Sequence, residues 1–514
     1  MCNTNSQISL SKSKLMALHQ CPLRLWNEVH CRDKAQEPSP QAQFLFDSGT
    51  AIGELARELY PEGRLIQAEY WDHEGALRDT MEAIADPSVA AVFEPAFEYR
   101  RTKVRCDLLA RSGDSWELWE VKSVRNPQDK HVLDVAIQAF VMKKSLESVG
   151  QTCNFDNIGL VHLNGSYVYN GKTYQLARLF KKHECLDAAL DLEDVVDDMI
   201  TEGLRIIDSQ NPPDIEPGAH CWTPYECPFL GSTCKIPEPH ELSSVPGIGP
   251  ARLQKLIDQC IETLADFAAQ NLARSGAQKR MVRSLQTGEC VVEPGLADAL
   301  AGIPFPRYHL DFETFAPILP RYAGTSPIQA LPFQFSVHIE HSADKPAQHE
   351  GYLHAEDTDP RRPLTRELLA VLEQFPSASI LMYTPYEKRV LKELATALPD
   401  FADRIEDIIV RLVDLCAIIR DNVYHPDFKG SFSIKDVLPA LVPGLGYDDL
   451  EIADGNTASM RYLEMIDIAK TDSDAARIIW EKLWAYCKRD TEAMVAVMKS
   501  LTAAVRSLTS LTNQ

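Results

Sequence analysis

The chain has 514 residues, of which 45% are hydrophobic and 25% charged, with a net charge of −22. That length suits two to four folded domains, and no run of eighteen apolar residues indicates a membrane span. The acidic total argues against a surface coated in nucleic acid, though not against a local basic channel.

The N-terminal MCNTNSQISLSKSK is polar and lacks the apolar stretch of a secretory signal, so a cytoplasmic location is expected. The 13 cysteines, odd in number and mostly scattered, then do not form a disulfide framework. Residues 9–30 pattern as a capped amphipathic helix and 49–60 as another. Strands are predicted over 90–100, 102–111 and 116–124, a helix over 130–147, and a strand with a turn from Ile158. Helical pattern covers 185–208, and a Pro/Cys-rich segment covers 211–239. Two short helices around a Gly-rich hairpin fill 241–270. After a linker, a new α/β pattern begins with strands at 307–315, 331–340 and near 379–387, and helices fill most of the remainder.

Four constellations carry chemistry. In the first, a strand ends near Asp107, a hairpin follows at SGDS, and the next strand carries Glu120, Val121 and Lys122. Alternation puts Glu120 and Lys122 on one face. Two acids supply hard oxygen ligands for Mg²⁺ or Mn²⁺, and a lysine beside them orients or deprotonates a water. An ordinary Glu–Lys pair on a solvated hairpin is the alternative. Glu98 on the preceding strand, and Gln138 on the apolar face of DVAIQAF, strengthen the metal reading.

This stretch resembles the RecB-type PD-(D/E)xK nucleases. The resemblance implies that Asp107 binds metal, that Glu120 and Lys122 are the E-x-K pair, and that Gln138 is the glutamine of the downstream helix. It departs at GTAIGELA, where a histidine is expected after the glycine and none stands near Gly53.

The second constellation is Cys221-x5-Cys227-x6-Cys234. Thiolates select zinc or an iron–sulfur cluster, and zinc ribbons prefer tighter knuckles. A fourth thiolate is needed, with Cys21 the first candidate and Cys31 its competitor. In the same RecB-type family one early and three late cysteines hold a 4Fe–4S cluster, which implies Cys21, Cys221, Cys227 and Cys234 as its ligands here.

The third is VPGIGPARLQKL at 245–256, the pattern of a helix-hairpin-helix whose backbone N–H groups meet a nucleic-acid phosphate, or else of a plain packing hairpin. The fourth is Asp311 and Glu313 at i and i+2 on a strand, Glu387 at a strand-to-helix junction, and Tyr486 and Asp490 at i and i+4 on a late helix. Acids from separated segments can converge on two metal ions. This half resembles the tyrosine-containing subclass of DEDD exonucleases. The resemblance implies metal binding by Asp311, Glu313, Glu387 and Asp490, and a water-orienting role for Tyr486. Glu387 stands where the family has Asp, and Asp414 is a fallback ligand.

The whole chain resembles an uncharacterised bacterial family that fuses the two nuclease types. The implied fold class is α/β: a restriction-endonuclease-like RecB nuclease core with the cysteines at 1–240, a helix-hairpin-helix at 241–285 and an RNase H-like exonuclease domain at 300–514. The implied activity is metal-dependent hydrolysis of nucleic acid, expected to be exonucleolytic on DNA. The alternative is a nucleic-acid-binding or interaction protein with one or both centres inactive.

Overall fold

The computed structural model describes residues 8–69 and 71–512. The chain forms two compact units, one of Met1–Pro237 with Ile318–Ile328, the other of Glu238–Pro317 with Gln329–Gln514. Both are mixed α/β. Among the described residues no helix is long and apolar enough to cross a membrane.

The first unit opens with β1 (Leu10–Ser11), α1 (Lys12–Gln20) and α2 (Pro22–His30). The single helix predicted over 9–30 divides at Cys21, because a proline disfavours helical backbone in the residue before it; Cys21 is extended, with φ −165° and ψ 124°. Helix α3 (Pro40–Arg57), β2 (Arg64–Leu65) and α4 (His73–Ala85) follow.

The strands predicted over 90–100 and 102–111 break as well, into β3 (Ala91–Phe93), β4 (Ala96–Tyr99), β5 (Thr102–Arg105) and β6 (Leu108–Ser112). At the first break Glu94 takes a φ of 55° and Pro95 has no N–H for a ladder. The ribbon therefore changes sheets. One sheet has the order β1-β5-β4. The other runs β2-β3-β6-β7-β8-β9, with β7 (Ser115–Lys122), β8 (Phe155–Leu163) and β9 (Phe180–Glu184).

Strands β7 and β8 are parallel, so they need a crossover, and α5 (Asp129–Ser148) supplies it. Its Val135, Ile137 and Phe140 share a core with Leu118 and Leu160. Trp119, Val161 and Leu163 pack in a second core with Ile52, Ala56 and Ile318. Helices α6 (Leu176–Leu179), α7 (Leu186–Leu190) and α8 (Glu193–Asp208) complete the unit. The late segment 318–328 is bound in by backbone hydrogen bonds between Tyr169 and Thr325 (2.9 Å) and Gly324 and Tyr169 (2.8 Å).

In the second unit α9 (Pro250–Asp258), α10 (Leu264–Ala269), α11 (Gly276–Thr287), β10 (Val291–Val292) and α12 (Gly295–Ala301) precede a five-stranded sheet. Its strands are β11 (Arg307–Phe315), β12 (Leu331–Glu340), β13 (Gln348–Leu353), β14 (Ile380–Met382) and β15 (Leu412–Asp414), in the order β13-β12-β11-β14-β15. Central β11 is antiparallel to β12 and parallel to β14.

Helices α13 (Arg361–Leu372), α14 (Tyr386–Ala397), α15 (Ala402–Ile409), α16 (Leu415–Asn422), α17 (Ile434–Leu441), α18 (Gly455–Ile468) and α19 (Ser473–Thr512) surround the sheet, and β16 (Val423–Tyr424) pairs with β10. Tyr308, Leu310 and Phe312 alternate into a core with Val337, Leu368 and Leu391. The two-residue period turns His309, Asp311 and Glu313 to the other face of β11, and α19 packs on β11 and β12.

Candidate functional site

In the first unit the strand break at Cys106–Asp107 places Asp107 just ahead of β6, where its Oδ2 accepts the Val121 N–H at 2.7 Å. Glu120 lies on central β7 and is 2% exposed. Its Oε1 accepts from Lys12 Nζ and from Lys122 Nζ, each at 2.7 Å, and its Oε2 accepts from Gln138 Nε2 at 2.7 Å. Asp134, one turn before Gln138 on α5, pairs with Lys122 and, at 3.3 Å, with Lys12. The structure thus gathers Asp107, Glu120, Lys122 and Gln138.

It also adds Lys12 and Asp134, which sequence reasoning missed. The i, i+4 pairing of Asp134 with Gln138 on a buried helix face was a readable signal; Lys12 gave none. Glu98 is elsewhere, on β4, with its Oε2 3.1 Å from His73 Nε2. Helix α3 offers no histidine, and the space beside Gly53 is open.

Charges at this centre are matched inside the protein. Burial works against an ionised Glu120, but Lys12 and Lys122 outweigh it and hold the carboxyl below the usual range. Burial likewise opposes Lys122 carrying its charge, and Glu120 and Asp134 overcome it and push the ammonium up. Asp107 is raised well above its ordinary value by burial and by the nearby Glu120 charge, and Asp134 by the same two causes. Asp107 and Glu120 bear on one another electrostatically, but the Glu120 oxygens are already taken by three protein donors. As a divalent-metal site this set fits only if Lys12 yields its place.

Cys21, Cys221, Cys227 and Cys234 line one pocket, with Leu23, Arg24, Ile215, Pro217 and His220. Cys31 is not among its walls. Cys21 caps α2, and the N–H groups of Leu23 and Arg24 face its sulfur; burial still pushes the thiol up. Cys227 is raised by burial against an N–H from Phe229. All four thiols are free. Among the described residues, no three of these sulfurs lie within 4.8 Å of one another. Ligand sulfurs on one tetrahedral zinc sit about 3.8 Å apart, so the four thiols are not drawn together as a preformed zinc cage. Four soft donors in one half-closed pocket fit an iron–sulfur cluster.

In the second unit, the hairpin region has a 3₁₀ turn at Glu241–Ser244, Gly247 at a φ of 65°, and α9 starting at Pro250 behind Gly249. Arg252 of the GIGPARL string turns inward. It donates to the Leu272 carbonyl (2.7 Å) and to Gln278 Oε1 (3.3 Å). Gln278 in turn donates to the Pro246 carbonyl at 2.9 Å. These bonds tie the hairpin to α11 and support the packing alternative for Arg252.

The acidic centre of this unit lies at the carboxyl ends of its parallel strands, where open α/β sheets bind ligands. Strands β11 and β14 pair only at Tyr308 and His309, so Asp311 extends beyond the paired stretch. Glu387 is the second residue of α14, which follows β14 after a three-residue turn. Asp490 and Tyr486 come from α19. Tyr447, which sequence reasoning missed, donates to Asp490 Oδ1 at 2.6 Å. Cys487, also missed, donates its thiol proton toward Asp311 Oδ2 at 3.6 Å. One ligand atom each from Asp311, Glu313 and Cys487 lie within 4.8 Å of one another. Asp414 accepts the Ala417 N–H at 2.8 Å and caps α16, so it positions a helix.

Here the carboxyls raise one another. Asp311 is held well above the ordinary range by burial, then by Asp490, Glu313 and Glu387. Glu313 is held up by burial and Asp490, with Lys435 opposing. Burial and neighbouring acids lift Glu387 to about 7. Burial lifts Asp490 to about 6 against the Tyr447 hydrogen bond and Lys435. Glu387 is 4% exposed, and its Oε2 is buried with no hydrogen-bond partner. Tyr486 is pushed up by burial and by Asp490, so its phenol stays protonated. Clustered, mutually repelling carboxyls with an orphaned oxygen fit a divalent cation.

Residues 308–433 match the family model of a domain of unknown function, DUF2779. The DUF2779 match takes in Asp311, Glu313, Glu387 and Asp414, and it ends before Tyr447, Tyr486, Cys487 and Asp490. No curated protein matches the chain.

Proposed function

We propose that the protein is a divalent-cation-dependent nuclease that hydrolyses phosphodiester bonds, a DNA exonuclease whose cutting centre is the acidic cluster of the second unit. The observation that carries this reading is the convergence of Asp311, Glu313, Glu387 and Asp490, from three separated segments, into one set whose carboxyls stay raised although Lys435 and Arg489 bear on part of it. Those four residues would hold the ion. When bound, it neutralises phosphate charge and acidifies a water.

The remaining steps belong to the chain. Tyr486, kept protonated, donates a hydrogen bond and orients a water; it does not act as a base. Tyr447 fixes one Asp490 oxygen. Glu387, near neutrality without an ion, would give up its proton as the ion binds.

In the first unit a specific observation favours a second role. Lys12 and Lys122 already neutralise Glu120. We read this unit as the RecB-like domain that grips nucleic-acid backbone, with a 4Fe–4S cluster on Cys21, Cys221, Cys227 and Cys234 joining its two ends. Its E-x-K centre acts only if Lys12 is displaced.

The test is cleavage of end-labelled single-stranded and duplex DNA and RNA with Mg²⁺ or Mn²⁺. Wild type is compared with Asp311→Ala/Glu313→Ala and with Glu120→Ala/Lys122→Ala. Loss of cutting in the first variant and its retention in the second is the expected result. Tight binding without any metal-dependent cutting in wild type would leave a binding protein. For the cysteines, anaerobic purification should give brown protein with iron; a colourless preparation holding one zinc refutes the cluster.

A further inference from the structure

On α19, Asp490 is the neighbour of both Tyr486, at i and i+4, and Cys487, at i and i+3. The Cys487 side chain is fully buried, the setting of an inert apolar thiol. Its surroundings are not apolar. Asp311 Oδ2 accepts its proton at 3.6 Å, and one oxygen each of Asp311 and Glu313 share a 4.8 Å envelope with its sulfur. A second observation independently points to a ligand: Glu387 Oε2 has no partner, and the Glu387 charge bears on both Asp311 and Glu313. Lys435, which bears on Glu313 and Asp490, donates to the Ala453 carbonyl, and Arg489, which bears on Asp490, pairs with Asp449; with both present Asp311 and Glu313 remain well above their ordinary values.

We propose that Cys487 is a ligand of this centre, which therefore takes a thiophilic divalent cation of the Zn²⁺ class on a mixed oxygen–sulfur set of Asp311, Glu313 and Cys487. The inference rests on the reading that this centre holds a divalent ion. Ligand atoms on a tetrahedral zinc, with bonds of about 2.0–2.3 Å, lie roughly 3.3–3.8 Å apart, inside the observed envelope. Magnesium keeps oxygen ligands and its own waters, whereas a thiolate selects for softer ions. As the metal–sulfur bond forms, the thiol proton passes to solvent, one proton per ion bound. A buried thiol among acids otherwise ionises poorly, and the bound cation reverses that balance.

The test is calorimetric titration of the full chain, its four-cysteine pocket loaded beforehand, with Cd²⁺, Zn²⁺ and Mg²⁺. Wild type is compared with Cys487→Ser, Cys487→Ala and Asp311→Asn. The expected result is at least a tenfold loss of Cd²⁺ and Zn²⁺ affinity in both cysteine variants, with Mg²⁺ affinity within twofold. Proton release, read from the buffer dependence of the binding heat, should fall by one per ion. Equal losses for Cd²⁺ and Mg²⁺, or Cd²⁺ affinity within twofold of wild type, would overturn the assignment.

Should the cysteine variants not fold, wild type and Asp311→Asn decide. Cadmium–thiolate absorbance present in the former and lost in the latter supports the ligand, and its absence from wild type refutes it. Cleavage assayed in parallel separates the two claims. A Cd²⁺ contrast without any DNA cutting removes the nuclease reading alone, and cutting without the contrast removes the sulfur ligand alone.

Discussion

The two acidic centres solve one electrostatic problem in opposite ways. In the first unit Glu120 is buried beside two lysines, and every one of its oxygens accepts a protein donor. In the second, burial and neighbouring acids push Asp311, Glu313 and Glu387 toward the protonated form, burial alone does so for Asp490, and one Glu387 oxygen has no partner. Burying charge is tolerated only when it is paired. The first centre finds its counter-charge within the chain; the second, where Lys435 and Arg489 bear only on part of the set, would take it from the ion proposed above. A pair of acids on a strand therefore says little about metal dependence until the cations nearby are known.

The sharpest way to break the comparison is to remove an acid from each centre. Asp311→Ala should leave a folded protein whose cleavage rate falls by roughly 10³-fold or more, since several kcal/mol of transition-state charge stabilisation depend on such ligands. Glu120→Ala should leave cutting intact but lower unfolding free energy by about 3–5 kcal/mol, because two lysines and Gln138 lose their acceptor. Rates on labelled DNA and urea melts of both variants measure this. The opposite pattern would exchange the roles of the two units.

Titration separates the centres next. Glu387 at about 7 and Asp490 at about 6 bind protons more tightly when folded than their ordinary values of 4.5 and 3.8 allow when unfolded. Their contribution favours folding below those ordinary values and is lost as pH rises through 6 and 7. In chelator, Glu387→Gln should therefore melt above wild type near pH ~8 and with wild type near pH ~4, the gap opening across this window. Added Mn²⁺ should raise the wild-type melting temperature most at the alkaline end. Differential scanning fluorimetry reads both effects.

A smaller change should make the first centre resemble the second. The Lys12 side chain is 26% exposed, so Lys12→Met is expected to cost only about 1–2 kcal/mol after solvent screening. It should also create Mn²⁺ binding in an Asp311→Asn/Asp490→Asn background, detected by electron paramagnetic resonance. Smallest of all, Tyr447→Phe removes the hydrogen bond to Asp490 at a cost of about 1 kcal/mol in chemical melts.

Much of this was legible in the chain itself. Alternation in YHLDFET separated the core face of β11 from its acidic face, and the cysteine spacing called for a fourth thiolate, for which the family resemblance implied Cys21. What stayed hidden depends on distant partners. Lys12 meets Glu120 across 108 positions and Cys487 meets Asp311 across 176, and no local period encodes either. The strand breaks were half legible: Pro95 marked one, whereas the apolar pattern runs straight through Cys106 and Asp107. Edge strand β13 reads QHEGYL and β15 has three residues, too polar or too short to declare themselves. The inward turn of Arg252 was hidden too, because its acceptors lie at Leu272 and Gln278.

Helix α1 has Lys12 as its first residue and is capped at its far end by Cys21. It spans nine residues, roughly 13 Å at the usual rise per residue. A helix of that length behaves as a strut, stiff along its axis. One end presses an ammonium into the Glu120 carboxylate and the other is pinned at the thiol pocket. A displacement of Cys21 along that axis would therefore change how far Lys12 reaches toward Glu120.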